Sequence, residues 1–150
     1  ELAKDLQQIL SDMDFSTDII CLEDLGLPLF NSNVLVDEIH LDSLLKKMKE
    51  SEGLIFCSPE YNGGVPPVLS NAITWVTVKS ENWREAFIGK FSIISSYSGG
   101  DAHRFISAFR SQLEYMGTNV LARSISVSKN KPLDTESAKR IFQGLIDIIN

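Results

Sequence analysis

Two short stretches hold most of the residues able to act on a small molecule. The first is Ser58-Pro59-Glu60-Tyr61-Asn62-Gly63-Gly64-Val65-Pro66-Pro67 and the second is Tyr97-Ser98-Gly99-Gly100-Asp101. Glycine lets backbone N–H groups come close to a ligand, and a helix that begins just after such a loop turns its positive end toward electron-rich groups. Backbone amides beside an aromatic ring, Tyr61 or Tyr97, suit a flat heterocycle bound with little side-chain charge. The same residues also suit two plain strand-to-helix turns, so the residue types alone leave both readings open. Glu60 reads either as a reacting carboxylate or as a residue that shapes its loop, and the second reading is preferred.

Other chemistries find little support. His40 and His103 stand apart from each other and from any Cys-x-x-Cys pair, so no metal site is expected. His103 falls in the first turn after Gly99-Gly100, where a solvated side chain is the default. There is no Ser-His-Asp arrangement, P-loop or Gly-x-Gly-x-x-Gly. Cys21 and Cys57 lie in apolar runs and are expected to be buried, reduced thiols. An apolar strand end disfavours the thiolate a nucleophile needs. Two cysteines in a chain of 150 residues do not make a disulfide scaffold, and no basic-then-apolar leader opens the sequence. A reducing, cytoplasmic setting is the expectation.

The loops must be held by elements, and the apolar spacing predicts them. Leu2, Leu6, Ile9, Leu10 and Met13 mark a helix, and Asp18-Ile19-Ile20-Cys21-Leu22 reads as a buried strand. After a long loop from Glu23 to His40, Leu41, Leu44, Leu45 and Met48 repeat at helical spacing. Leu54 to Cys57 is a strand apolar throughout, as one covered on both faces should be. Pro66-Pro67 suits a helix entrance, and Leu69, Ala72, Ile73 and Val76 share a face of that helix. Lys79 to Lys90 is polar and is expected to be a surface excursion. Phe91 to Ser95 is a third strand, and Asp101 is the expected N-cap of a helix carrying Phe105, Phe109, Leu113 and Met116. That helix stops at Gly117. Asn119 to Val127 contains a fourth strand, and a last helix from Asp134 or Thr135 turns Ala138, Ile141, Phe142, Leu145 and Ile149 inward. Alternating helices and strands mean right-handed crossovers and a parallel sheet. In such a sheet ligands bind beyond the carboxyl ends of the strands, where both loops fall.

Composition narrows the function classes. The chain is 43% hydrophobic and 23% charged with a net charge of −6, the profile of a globular domain rather than a disordered one. A net acidic chain without a Lys/Arg cluster is no nucleic-acid binder. Its apolar runs are too short to span a bilayer as a helix, so no membrane partner is expected. Residues 1–150 read as a single domain, without repeat or linker.

The first stretch continues as Val68-Leu69-Ser70-Asn71-Ala72-Ile73-Thr74-Trp75, and the whole run resembles the signature of the NADPH-dependent FMN reductase family. That signature is Ser-Pro-Glu-Tyr-Asn, a spacer and Pro, then Leu-Lys-Asn-Ala-Ile-Asp-Trp. This chain departs from it at Ser70 and Thr74. Tyr97 to Gly100 is similar to the family's Ser-x-Gly-Gly loop, and the likeness runs along essentially the whole chain. The resemblance implies an α/β fold, a flavodoxin-like three-layer sandwich with a parallel sheet. It implies FMN at the sheet edge, the backbone of Pro59, Glu60, Tyr61 and Asn62 along the ring, and Ser98, Gly99 and Gly100 approaching from the other loop. The implied activity is an NAD(P)H-dependent FMN oxidoreductase, passing hydride to the flavin and on to a small-molecule electron acceptor: free flavin, a quinone, an azo dye or a metal oxyanion. No catalytic side chain is implied, because the flavin carries the chemistry. The family also implies a homodimer or homotetramer, with Trp75 to Trp83 at the interface. The alternative is a non-catalytic flavodoxin-like protein that binds FMN or partners without turning over nicotinamide.

The family's first strand and its Gly-Ser-x-Arg phosphate loop have no counterpart in these residues. In the sheet order 2-1-3-4-5 that strand is central, and its loss would leave backbone groups unpaired on both neighbours. The sequence is therefore expected to be N-terminally incomplete, with about 25–30 further residues upstream.

Overall fold

Helices form where the apolar spacing places them. A computed structural model of the chain describes all 150 residues. Helix α1 (Leu2–Asp12) buries Leu2, Leu6, Ile9 and Leu10. Helix α2 (Glu38–Glu50) starts at Asp37, whose carboxylate accepts from the Ile39 N–H, and it buries Leu41 and Leu44. Strand β1 (Gly53–Cys57) leads to α3 (Pro67–Lys79), with Pro67 in the first turn where its missing N–H costs nothing. Strand β2 (Phe91–Tyr97) leads to α4 (His103–Tyr115). Two short strands, β3 (Asn119–Val120) and β4 (Ile125–Val127), precede α5 (Thr135–Ile149), which Asp134 caps through the Ser137 N–H. No helix is long and apolar enough to cross a membrane.

The sheet is parallel and is the middle of three layers, with helices on both faces. β2 is central, with β1 on one side in register from Gly53 opposite Phe91 to Cys57 opposite Ser95. On the other side β3 pairs with the start of β2 and β4 with its end. Alternate residues of β2 serve opposite faces. Ile94 joins the core made with α2, α3 and α4, and Ile93 joins the core made with α1 and α5.

Several expectations need correction. Asp18–Leu22 is not a strand. Its backbone makes no ladder, because a strand is held by a neighbour and this segment has none beside it. It lies across a groove of 650 Å³ from the outer edge of β1, with Ile20, Leu22, Ile55, Phe56 and Leu69 among the lining residues. The fourth strand is interrupted into β3 and β4, and the Arg110 guanidinium bridges the interruption through the carbonyls of Val120 and Ala122 and the Ser124 hydroxyl. The excursion from Lys79 is not wholly superficial: α3 runs on to Lys79, and Ala86 and Phe87 are fully buried. Trp75 is also buried, its indole N–H donating to the Pro28 carbonyl, whereas Trp83 stays largely exposed. Of the expected interface pair, only Trp83 is on the surface. Both cysteines are free thiols that reach solvent rather than buried ones. They do so because Cys21 lies in the unpaired segment and Cys57 at the open end of β1.

Candidate functional site

Both glycine-containing loops leave the sheet at the carboxyl ends of adjacent strands, so β1 and β2 bring them side by side. The first follows β1 directly, tied to β2 by the Ser58 N–H donating to the Ser95 carbonyl at 3.1 Å. Its tip is a tight hairpin. Tyr61 and Gly64 exchange two backbone hydrogen bonds, of 3.3 and 3.0 Å, around Asn62 (φ 52°) and Gly63 (φ 68°). Two successive positive φ values make the turn that Asn-Gly favours. A side chain at Gly63 would also approach Arg104 Cδ to 3.1 Å, and that flexible side chain would have to give way.

The second loop is fixed at both ends. The Ser98 N–H donates to the Val127 carbonyl at 3.1 Å, and the Ser126 hydroxyl donates to the Asp101 carbonyl at 2.7 Å. Asp101 is not itself the N-cap of α4. That position falls to Ala102, which takes a left-handed conformation and has no capping side chain. The Asp101 carboxylate still accepts from the His103 N–H at 3.1 Å.

One bond joins the loops to each other, and a second steadies its acceptor. The Glu60 N–H donates to Ser98 Oγ at 2.7 Å, and Ser98 Oγ lies 3.1 Å from Ser96 Oγ. The Glu60 carboxylate accepts the Phe105 N–H of α4 at 2.8 Å.

These bonds sort the seven predicted site residues. Pro59 has no N–H, and the N–H groups of Glu60, Tyr61 and Ser98 are engaged within the protein. The N–H groups of Asn62, Gly99 and Gly100 donate to no protein group, and the three residues are exposed. Tyr61 and Tyr97, 57% and 55% exposed, stand on the two loops with their rings uncovered. A second cavity, of 480 Å³, runs from the first turn of α1, through Glu1, Ala3 and Lys4, to Cys57, Ser58 and Pro59. Burial pushes the Cys57 thiol above its ordinary value, outweighing a hydrogen bond from Ser95 that works the other way. The arrangement can donate backbone hydrogen bonds to a planar ligand and offer it aromatic surface. It presents no paired acid and base.

Asn71 and Trp75, which residue chemistry alone did not bring together, anchor the long connection before α2 onto α3, outside the two loops. The Asn71 amide accepts from the Phe30 N–H at 2.8 Å and donates to the Pro28 carbonyl at 2.9 Å, which also receives the Trp75 indole at 2.7 Å. Phe30 packs edge-on against Trp75. A polar and an aromatic residue four apart on an otherwise apolar helix face are the signal for such an anchor.

Comparison with known proteins places this architecture. The model of the NADPH-dependent FMN reductase family matches residues 1–131. An NAD(P)H-dependent FMN reductase of Schizosaccharomyces pombe is 30% identical over 125 residues, which cover 81% of this chain and 54% of that protein. The chain thus spans about half the length of this relative. Among solved structures, the flavoenzyme NAD(P)H:acceptor oxidoreductase FerB of Paracoccus denitrificans superposes with a TM-score of 0.73 at 21% identity, over 99% of this chain and 85% of that one. A flavodoxin from the domain Archaea superposes with a TM-score of 0.68 at 12% identity, over 99% and 87%. The fold is flavodoxin-like.

Proposed function

The chain belongs to the NADPH-dependent FMN reductase family, and from that membership we propose that it is an FMN-dependent NAD(P)H oxidoreductase acting on a small-molecule electron acceptor. The observation that carries this reading is the pair of clamped loops, which leave free backbone donors and two uncovered tyrosine rings at one end of the sheet. Those residues fit a flavin: a flat ring edged with acceptors needs donors of this kind and little charge. Asn62, Gly99 and Gly100 would donate to the ring, Tyr61 and Tyr97 would offer aromatic surface, and Pro59, Glu60 and Ser98 would shape the cradle. When bound, FMN supplies the hydride chemistry. The protein orients it, sets the polarity around it and leaves one side open to nicotinamide.

The Gly-Ser-x-Arg phosphate loop of the family is not among these residues. The cavity at the first turn of α1 lies where a helix N-terminus would meet a phosphate. The 150 residues form a single domain in this reading, working in the cytoplasm as a homodimer or homotetramer. The exposed Trp83, with Arg84 4.4 Å from its ring and Tyr115 beside it, supports an interface there.

Titration of FMN into the purified chain tests the reading. Saturable quenching of flavin fluorescence, with NAD(P)H oxidation that depends on added FMN and a quinone, is the expected outcome. Saturable binding with no oxidation would leave a flavin-binding protein that is not a reductase. No binding by this chain would make the family's first strand and phosphate loop essential to the site, and no binding by a chain extended to include them would remove the flavin.

A further inference from the structure

We infer that Glu60 is a positioning residue, whose carboxylate acts on helix α4 and not on a ligand. Three observations carry this. Helix α4 has no capping side chain at its N-cap: Ala102 is held left-handed with φ 54°, the first turn contains no acidic residue, and the Asp101 carboxylate just before it takes only the His103 N–H. The other N–H groups at a helix start need acceptors of their own. Glu60 supplies one from 45 residues away, accepting the Phe105 N–H at 2.8 Å. Its own N–H is meanwhile committed to Ser98 Oγ at 2.7 Å.

One residue therefore grips the other loop on both sides of Gly99-Gly100. Ser98 precedes the glycine pair and Phe105 follows it. The glycines have no neighbour within 4 Å of where a side chain would start, so they are placed by the bonds of the residues that flank them, to Glu60 on one side and to Ser126 and Val127 on the other. Glu60 sets their position relative to Tyr61 and Asn62. The relevant property is reach, because the carboxylate has to cross from one loop to the first turn of α4.

Two substitutions separate reach from charge. Glu60→Gln keeps the length and an accepting oxygen but removes the charge. Glu60→Asp keeps the charge but is one methylene shorter. Amide exchange at Phe105 in the flavin-free protein is expected to rise about tenfold in Glu60→Asp and to stay near the native rate in Glu60→Gln, the size expected for one hydrogen bond lost or kept. The affinity for FMN is expected to follow the same order, falling about tenfold for Asp and recovering in Gln. The opposite order, Gln impaired and Asp intact, would show that the charge meets the ligand and would overturn the inference. Unchanged exchange at Phe105 in both variants would overturn it as well. The FMN arm rests on the reductase reading, whereas the exchange arm does not. If the unsubstituted protein, extended to include the family's phosphate loop, binds no FMN, that reading falls and the loop clamp is decided by exchange alone.

Discussion

Cys57 shows how the cavity at the carboxyl end of β1 bears on a single residue. Its thiol meets solvent at the strand end, yet the surrounding protein disfavours its charged form. The alkylation rate of Cys57 by iodoacetamide is therefore expected to rise with pH later than that of free cysteine, as mass spectrometry of the Cys57 peptide would measure. The sign for stability follows. Folding holds the proton more tightly than the unfolded chain does, so this contribution is complete below the ordinary thiol value. It is lost as pH rises past that value and through the folded one. A rate profile that matched free cysteine would contradict the burial. The sequence predicted a buried thiol from its apolar neighbours and was half right: the desolvation is there, but the cover is not. Glu60 was read as a loop-shaping residue, and the structure gives that reading its partners. Those partners, Ser98 and Phe105, lie 38 and 45 positions away, and no local spacing encodes them.

At the scale of elements, the helices were legible and the strands less so. A helix closes its own hydrogen bonds, so an apolar face such as Phe105, Phe109 and Leu113 is enough to declare it. A strand depends on its neighbour. Ile19-Ile20-Cys21-Leu22 has the composition of one but no partner strand, while Phe91–Tyr97, paired on both sides, was read almost to its ends. The placement of both loops was legible from topology alone, since parallel strands fix where their turns emerge. The long connection before α2 was called a loop, and the structure shows how it is anchored, through Asn71 and Trp75 on the Pro28 carbonyl. Asn71→Ala removes two bonds from this partly buried anchor. It is expected to destabilise the chain by about 2 kcal/mol, read as a lower urea midpoint with little change in slope. A midpoint within error of the native one would mean that Trp75 and Phe30 hold the loop unaided.

At the scale of the whole molecule, one strand serves two cores. Ile93 and Ile94 are neighbours in β2, and each is buried in a different core. Ile93→Ala and Ile94→Ala are each expected to destabilise the chain by about 3 kcal/mol, read as a lower urea midpoint. A midpoint that moved for one variant and not for the other would show that the two cores carry unequal shares of the stability. A single peptide bond thus ties the layer of α1 and α5 to the layer of α2, α3 and α4, so the loss of one layer is felt at once by the other. Tryptophan fluorescence, which reports on Trp75 in one core, should follow the same denaturation curve as the helix signal of the entire chain.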